Sequence, residues 1–321
     1  MILYALRRLV QAIPLFLGVL FLMFLLLQLT PGSPIQAIVG RYPVPPEYRR
    51  IIVQEYHLDQ SLPERFVYWL WNMLHGNLGY SFGSHTAVTS LIFSALPNTL
   101  LLVVCGTILS MVVGIFLGFL PMLIRGRFVD GAVSMGVITG FAIPTFWMGQ
   151  ILIVVFALKL KLFPVSGMSP LYGAASGFGG ILQRLQYLTL PVLALSIPAL
   201  ANITRVQQQS ALETLGNDYI VTAELKGLSG GQIVRRHVLR NSLLPVITVI
   251  GYSFGTSMAG TILIERVFGW PGIGNLLILS ITRRTNQTII ALTMMAAAII
   301  IVVNLVTDLI YGALDPRIRV T

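Results

Sequence analysis

The sequence predicts an all-α polytopic membrane protein, and this prediction rests on composition and on the pattern of apolar runs. Hydrophobic residues make up 55% of the 321 residues and charged residues only 10%, against about 25% charged residues in soluble domains. The mean hydropathy of +0.83 leaves too little polar surface to cover a water-soluble globule. The apolar runs are continuous rather than alternating, which favours membrane-spanning helices over a β-barrel.

Composition also excludes several other classes of protein. The apolar content excludes a disordered chain, and a single cysteine, Cys105, excludes a disulfide scaffold. The net charge of +10 indicates arginines that anchor loops at an anionic membrane surface. A nucleic-acid-binding protein is not indicated, because no basic run is interleaved with aromatic residues.

Six windows without charged residues are long enough to cross the bilayer, which takes about 20 apolar residues in a helix. They lie at residues 9–40, 86–124, 131–158, 185–204, 241–264 and 285–307. We expect the first span to be retained, because its apolar run of about 21 residues exceeds the usual length of a signal peptide core. Residues 30–34, rich in proline and glycine, are expected to end that helix.

Six spans place both termini on one side of the membrane, and the cations indicate that this side is the cytoplasm. In that orientation eleven cations lie inside: Arg7, Arg8, Arg125, Arg127, Arg205, Lys226, Arg235, Arg236, Arg240, Arg317 and Arg319. The short outer loops contain six: Lys159, Lys161, Arg184, Arg266, Arg283 and Arg284. The other four lie in the long loop at 31–95, where the rule carries little weight.

Three segments are expected outside the hydrocarbon core: the outer loop at 31–95, the connection at 159–184 and the inner segment at about 205–240. In the outer loop, Pro46 and Glu47 can open a short helix. Residues 64–74 suit an amphipathic helix at the outer interface, since they include Trp69 and Trp71. The connection at 159–184 is rich in Gly, Ser and Pro and is expected to be irregular.

The chain lacks the motifs of a nucleotide or metal site. No GxxxxGK[ST], HExxH or CxxC sequence occurs, so we expect neither a cofactor nor a metal on this chain. The spans are nearly free of the ionisable residues that ion-coupled carriers keep at membrane depth. Asp308 is the exception, and we interpret it as a structural carboxylate at an inner helix end, with a proton relay as the alternative. A passage without its own energy source implies an external motor.

The spans offer polar, uncharged side chains and several prolines instead of a charged substrate site. The polar residues include Gln150, Thr204, Ser253 and Asn304. The prolines, which free backbone carbonyls and can kink helices, are Pro144, Pro191, Pro198 and Pro245. Such a passage suits cargo that must be released after each cycle.

The inner segment at 205–241 is predicted to contain two short helices separated by a glycine. Asn217 and Asp218 can cap a helix over 219–226, and Gly227 fits the left-handed position after it. Ser229 and Gln232 form the pattern of a capping box for a second helix that reaches Pro245. Helices this short are marginal alone, so their apolar residues must pack on the chain's own spans or on a partner. Those residues are Tyr219, Ile220, Ala223, Leu225 and Leu228.

The outer segment at 265–274 contains the stiff, turn-forming sequence Trp270–Pro271–Gly272. Two interpretations remain open for it. Trp270 can anchor the chain at the membrane interface, as aromatic residues often do, or the segment can act as a gate or receptor contact at the outer mouth.

Several stretches together resemble one family, the permeases of bacterial ABC importers of the oligopeptide, dipeptide and nickel type, first-subunit class. Residues 222–228, 233 and 237–245 resemble the EAA loop of those permeases. Residues 58–63, 76–81, 96–100, 265–274 and 315–317 are similar to other signatures of the family, so the resemblance covers nearly the whole chain. Glu224 departs from the family, which commonly has a basic residue there.

The resemblance implies a type I ABC importer permease fold in the bacterial inner membrane and no enzymatic activity. The chain would form half of a passage for di- or oligopeptides, with nickel chelates or glycosides as alternative cargo and a stand-alone carrier or channel as a different class. The implied partners are a second permease of similar fold, two cytosolic ATPases that hold ATP and Mg, and an extracytoplasmic binding protein.

The resemblance also implies a division of the chain and roles for named residues. The whole chain, 1–321, is one permease unit, with a first span at 1–31, an outer region at 32–95 and a type-1 core at 95–312 that includes the coupling segment 205–241. The residues expected to couple to the ATPase are Tyr219, Ala223, Glu224, Lys226, Gly227, Leu228 and Pro245. Those expected at the outer gate or receptor contact are Glu265, Phe268, Trp270, Pro271 and Gly272.

Overall fold

A computed structural model describes residues 2–29, 35, 45–55, 57–81, 83–124, 127–170 and 177–314. Within them, five helices are long and apolar enough to cross a membrane, and a bent pair of helices supplies a sixth span if it is counted as one. The predicted all-helical membrane fold is therefore confirmed. The stop expected at 30–34 and the signature at 315–317 lie outside the described residues, as does the side chain of Asp308.

The chain divides into two compact units, of which the first comprises Met1–Thr99 and Pro271–Leu305. Its helices are α1 (Ile2–Gln28), α2 (Pro46–Glu55), α3 (Leu62–Leu74), the start of α4 (Val88–Leu123), α11 (Ile273–Arg283) and most of α12 (Asn286–Leu314). Two short antiparallel strands, β1 (Tyr80–Ser81) and β2 (Thr86–Ala87), form a hairpin before α4. Helices form at both predicted places, at Pro46 and around Trp69, but Trp69 is buried in the apolar core of unit 1 and does not face the membrane interface.

The second unit comprises Leu100–Trp270 and Val306–Thr321. After α4 come α5 (Arg127–Ala142), α6 (Thr145–Leu152) with a π-helical extension (Ile153–Lys159), and α7 (Gly177–Leu215). Next are α8 (Asp218–Leu225), α9 (Gly230–Ile233), a π-helical turn (Val234–Val238) and α10 (Leu239–Val267). Residues 160–170 are irregular, as predicted, but α7 begins at Gly177 rather than near 185.

The third predicted span, at 131–158, is not one straight helix. The helical segments Phe128–Ala142 and Thr145–Lys159 meet at an angle of 108°. Pro144 is the cause, because proline lacks an N–H and disfavours the helical conformation of the residue before it. By contrast, Pro191, Pro198 and Pro245 lie inside continuous helices.

A stripe of small residues on α4 lets this helix approach α7 closely. Its members occur at every fourth position and therefore share one face of the helix; they are Gly106, Ser110, Gly114 and Gly118. A β-carbon on Gly114 would lie 2.8 Å from Ile203 Cγ2, and one on Gly118 would lie 2.6 Å from Gln207 Cβ. Larger side chains at these two positions are excluded by this contact.

Polar contacts strengthen the packing between α4 and α7. The Ser110 hydroxyl is buried, lies 2.7 Å from the carbonyl oxygen of Gly106 on its own helix, and lies 3.0 Å from that of Ser196 on α7. Small residues spaced in this way are typical of helix interfaces in membranes, where close backbone approach replaces the hydrophobic effect.

Helix α11 was not predicted. It lies between the fifth and sixth windows and buries Ile273, Gly274 and Ser280. Two signature stretches meet at its N-terminus: the Asn98 side-chain amide donates to the Pro271 carbonyl at 2.8 Å, and the Ile273 N–H donates to Thr99 Oγ1 at 2.8 Å. Thr99 thus accepts a bond from a helix-terminal N–H that has no partner within the helix.

The hairpin of unit 1 is held to α12 by a tight contact at Gly79. The Gln287 amide donates to the Leu78 carbonyl at 3.1 Å. Gly79 has a φ of +85°, and a β-carbon on it would lie 2.5 Å from Gln287 Nε2. Gly76, three residues earlier, has a similar φ of +79° but faces open space.

These two glycines allow a matched test. We expect Gly79→Ala to lower the unfolding temperature in detergent more than Gly76→Ala does. Both variants bear a left-handed strain of about 1–2 kcal/mol, but only Gly79→Ala adds the overlap with Gln287, which costs about 1–3 kcal/mol. A second change, Gln287→Ala, should remove the excess. Equal melting temperatures for the two alanine variants would contradict this contact.

Candidate functional site

The first helix of the coupling segment forms within one residue of its predicted bounds, although the Asn217 side-chain amide donates to the carbonyls of Glu213 and Thr214 and does not cap it. Helix α8 runs from Asp218 to Leu225, with Asn217 at the N-cap position and Lys226 at the C-cap position. The Ile220 N–H donates to the Asn217 carbonyl at 2.9 Å, and Asp218 places a carboxylate at the positive end of the helix. The prediction of a two-turn helix is confirmed.

Gly227 ends this helix in a left-handed conformation, with a φ of +81°. The Gly227 N–H donates to the Glu224 carbonyl at 2.9 Å, and the Leu228 N–H donates to the Ala223 carbonyl at 3.3 Å. This pair of bonds is a Schellman motif, in which the hydrophobic residue after the glycine packs back on the helix. Leu228 packs against the same apolar cluster as Ala223.

The second helix of the segment is continuous with a membrane span. Ser229 is its N-cap, and the predicted capping box is present, with the Ser229 N–H donating to Gln232 Oε1 at 3.0 Å. The helix then passes through the π-helical turn Val234–Val238 into α10 without a break. The result is a single helix of 38 residues, Gly230–Val267.

One face of the coupling segment packs on the chain's own helices. Ile220, Ala223, Ile233 and Val238 form a buried cluster with Phe119 of α4 and Ala211 of α7. Burying a side chain such as Ile220 contributes about 1.5–3 kcal/mol. Of the two alternatives left open by the sequence, packing on the chain's own spans therefore applies to this face.

The opposite face of α8 is exposed and partly apolar. Leu225 is 84% exposed, Val221 53% and Tyr219 41%. The charged residues Glu224 and Lys226 are also exposed. An exposed leucine beside two charges has the composition of a protein interface, with an apolar anchor and a polar rim.

The remaining predicted coupling residues lie beside these helices. The Tyr219 hydroxyl accepts a hydrogen bond from the Asn241 amide at 3.0 Å, and its ring lies 6.3 Å from that of His237. Pro245 is exposed within α10, two turns after its start. Tyr219 of α8 therefore contacts both the π-helical turn and the start of α10.

A buried polar contact, which the sequence had not indicated, joins α7 to α10. The Gln207 amide donates to Ser242 Oγ at 2.8 Å, and both residues are 0% exposed. Gln207 Oε1 and the hydroxyl of Thr204 are also buried, without a hydrogen-bond partner in the described part of the chain. Gln207 is also the residue that fills the space left by Gly118, so α4, α7 and α10 meet at this one side chain.

The outer segment begins with a second Schellman turn, which ends α10. Gly269 has a φ of +59°, and the Trp270 N–H donates to the Glu265 carbonyl at 2.8 Å. Glu265, Phe268 and Trp270 are buried, with exposures of 0%, 2% and 1%. The Phe268 ring lies against Gly149 of α6, and its carbonyl accepts the Gly167 N–H at 2.8 Å.

The burial of Trp270 bears on the two interpretations of this segment. An interfacial anchor presents its indole to lipid headgroups, whereas Trp270 packs inside the apolar core of unit 2. Pro271 is exposed, and Gly272 is the N-cap of α11 in unit 1. The gate or receptor role of the five residues stays a prediction.

Comparison with known proteins identifies the family. Residues 110–320 match the family described as "Binding-protein-dependent transport system inner membrane component". Residues 1–103 match the corresponding N-terminal family of such membrane components. The chain belongs to this family of transport-system membrane components.

Individual members of the family are similar over their full length. The chain is 36% identical to the dipeptide transport system permease protein DppB of Escherichia coli (strain K12), over 99% of both chains. It is 38% identical to a putative peptide permease of Brucella suis, over 100% of both chains. It is 34% identical to the oligopeptide transport system permease protein AppB of Bacillus subtilis, over 98% of this chain and 99% of the relative.

In this transport-system component, a double-mutant cycle measures how much the Gln207–Ser242 hydrogen bond contributes to stability. Ser242→Ala leaves the buried Gln207 amide without an acceptor, and Gln207→Met removes that amide while keeping its volume. We expect the two changes to be non-additive by about 0.5–1.5 kcal/mol in the free energy of unfolding in detergent.

Ser253→Ala provides the matched control for this cycle. Ser253 is also buried on α10, but it lies eleven positions beyond Ser242, so its effect should add to that of Gln207→Met. Additive energies for the Gln207 and Ser242 pair would show that the hydrogen bond contributes nothing to the joint between α7 and α10.

Proposed function

We propose that this chain is a permease subunit of an ATP-driven importer and forms half of a passage for di- and oligopeptides. The observation that carries the proposal is end-to-end similarity to relatives whose names specify dipeptide or oligopeptide transport. Those names favour peptides over nickel chelates or glycosides as cargo. A binding protein outside the membrane delivers the peptide, and a second permease of similar fold forms the other half.

The coupling segment is the proposed docking element for cytosolic ATPases. Its inward face packs on the cluster with Phe119 and Ala211, so Leu225, Val221 and Tyr219 are left exposed to a partner. Two ATPase chains bind below the permease pair and hold ATP and Mg. This chain itself catalyses no reaction, in keeping with the lack of a phosphate-binding loop in its sequence.

The continuous helix Gly230–Val267 supports a mechanical route between the two candidate sites. It begins in the coupling segment and ends at the turn that buries Phe268 and Trp270. In this proposal Glu265, Phe268 and Trp270 shape the outer gate from inside unit 2. Pro271, which is exposed, is the position open to a receptor, and Gly272 starts the helix that follows.

The proposed location is the bacterial inner membrane, with both termini in the cytoplasm. The excess of cations in the segments at Arg205–Arg240 and at the two termini supports this orientation through the positive-inside rule. A stand-alone carrier or channel is the competing class. It is disfavoured because the spans have few of the ionisable residues that couple ions to transport.

Gly227 provides the test of this proposal. Gly227→Val places a β-branched residue in the left-handed conformation, whereas asparagine adopts it readily. A β-carbon at position 227 has no neighbouring atom within 4 Å, so neither the valine nor the asparagine β-carbon clashes there. We expect Gly227→Val to lower ATP-dependent dipeptide uptake by about tenfold, equivalent to about 1.4 kcal/mol, and Gly227→Asn to keep most of it.

Membrane abundance, measured by immunoblotting, is the control and should be similar for both variants. Full ATP-dependent uptake by Gly227→Val at normal abundance would contradict the coupling role. Uptake that is independent of ATP in the unmodified transporter would contradict the proposed function itself.

A further inference from the structure

Helix α3, which the sequence predicts at the outer membrane interface, is apolar around most of its circumference. Among residues 66–74 only Tyr68 and Asn72 carry a polar group able to face water, apart from the indole nitrogens. A helix of this composition is normally buried in a core or in lipid.

The first face of α3 packs on α1. Phe66, Trp69, Leu70 and Met73 belong to or line the apolar core of unit 1 together with Leu20, Phe24 and Leu27. The Phe66 ring lies 5.4 Å from that of Phe21 and 5.2 Å from that of Phe24. These edge-on contacts fix α3 against the second half of α1.

The contact with α1 places α3 at membrane depth. The part of α1 that is long and apolar enough to cross a membrane is Leu6–Gln28. Phe21 and Phe24 lie seven and four residues before its end, or about 10 and 6 Å along the axis. Because half of the hydrocarbon core is about 15 Å thick, a helix that contacts both rings lies within one leaflet rather than in the water above it.

The second face of α3 is apolar and largely exposed, although the Trp71 ring lies 4.0 Å from that of His75. Val67, Trp71 and Leu74 follow a spacing of four and three residues and so form one stripe. Their exposures are 63%, 63% and 58%. Soluble proteins rarely expose a contiguous apolar stripe of this kind to water.

The third face is polar and continues to both ends of the helix. It comprises Glu64, Tyr68, Asn72 and His75, which are three or four residues apart. Glu64 accepts bonds from the Ser61 N–H and hydroxyl at 3.1 and 2.8 Å, and the Tyr68 ring stacks on His57 at 4.0 Å. The helix therefore has one side for α1, one apolar stripe and one side for water.

We infer that α3 lies along the headgroup–acyl boundary of the leaflet at the C-terminal end of α1, and that Val67, Trp71 and Leu74 contact phospholipid acyl chains. The three faces match the three surroundings available there: a spanning helix, lipid and water. Interfacial helices bury their apolar face about 5–10 Å into this boundary, which agrees with the depth of Phe21 and Phe24. This inference goes beyond the proposed transport function and does not depend on the cargo.

Nitroxide labels on single cysteines test the inference in the assembled transporter, reconstituted in phospholipid vesicles. The native Cys105 is replaced by alanine, and cysteine is introduced by Val67→Cys, Leu74→Cys and, as the matched control on the polar face, Asn72→Cys. Power saturation then measures the collision rate of each label with oxygen, which partitions into lipid, and with a nickel chelate, which stays in water. We expect the oxygen-to-nickel ratio to be several-fold higher at 67 and 74 than at 72.

Two results would overturn the inference. Nickel accessibility at 67 and 74 equal to that at 72 would place the stripe in water. Exclusion of both reagents at 67 and 74 would show that another protein chain covers it. Both results are independent of peptide uptake, so failure here is distinguishable from failure of the proposed function.

A label-free comparison keeps the inference testable if a labelled variant does not fold. Val67→Asp introduces a charge into the stripe, and Tyr68→Asp introduces the same charge on the adjacent polar face. We expect membrane abundance to fall several-fold for Val67→Asp relative to Tyr68→Asp, because a carboxylate is costly among acyl chains. Equal abundance of the two variants would contradict the lipid contact.

Discussion

The close contact between α4 and α7 is the constraint on which the second unit depends. The Gly114 and Gly118 positions bring the backbone of α4 against Ile203 and Gln207 of α7, with no room for a β-carbon. This approach sets Phe119 beside Ala211 and creates the apolar platform on which α8 and α9 rest. An eight-residue helix is marginal by itself in water, so the shape of the coupling segment is a consequence of helix packing further along α4.

The same contact connects the coupling segment to the outer segment. Gln207 fills the space beside Gly118 and donates to Ser242 near the start of α10. Ser242 lies in the helix Gly230–Val267, which is about 55 Å long at 1.5 Å per residue and ends at the turn that buries Trp270. The π-helical turn at Val234–Val238 and the missing N–H of Pro245 are local weak points near its inner end. In the proposed coupling role, force applied to this segment acts on a helix that can bend close to the point of contact.

Local signals in the sequence were sufficient for the spans, for the start of α8 after Asn217, for the capping box at Ser229 and for the left-handed Gly227, because each depends on neighbouring residues alone. The 108° bend at Pro144 was indicated only as a possible kink, since its size depends on packing around the break. Helix α11 and the burial of Trp270 depend on contacts distant in sequence and could not be predicted from local pattern. The role of Gln207 was missed, although the Gly114-x-x-x-Gly118 spacing was a usable signal for a close helix contact.

The most direct test of the central claim is a cysteine cross-link, in membranes, between the exposed tip of α8 and the ATPase proposed as its partner. Leu225 is 84% exposed, and Leu225→Cys places the cross-linking thiol at the tip of α8. Phe178→Cys is the matched control, because Phe178 is 82% exposed but lies at the opposite end of α7. With Cys105 replaced, the account predicts a cross-linked product with the ATPase from position 225 and none from position 178. A transporter that retains uptake yet gives no product at 225, or gives equal product at both positions, would contradict the claim that this segment couples the chain to its motor.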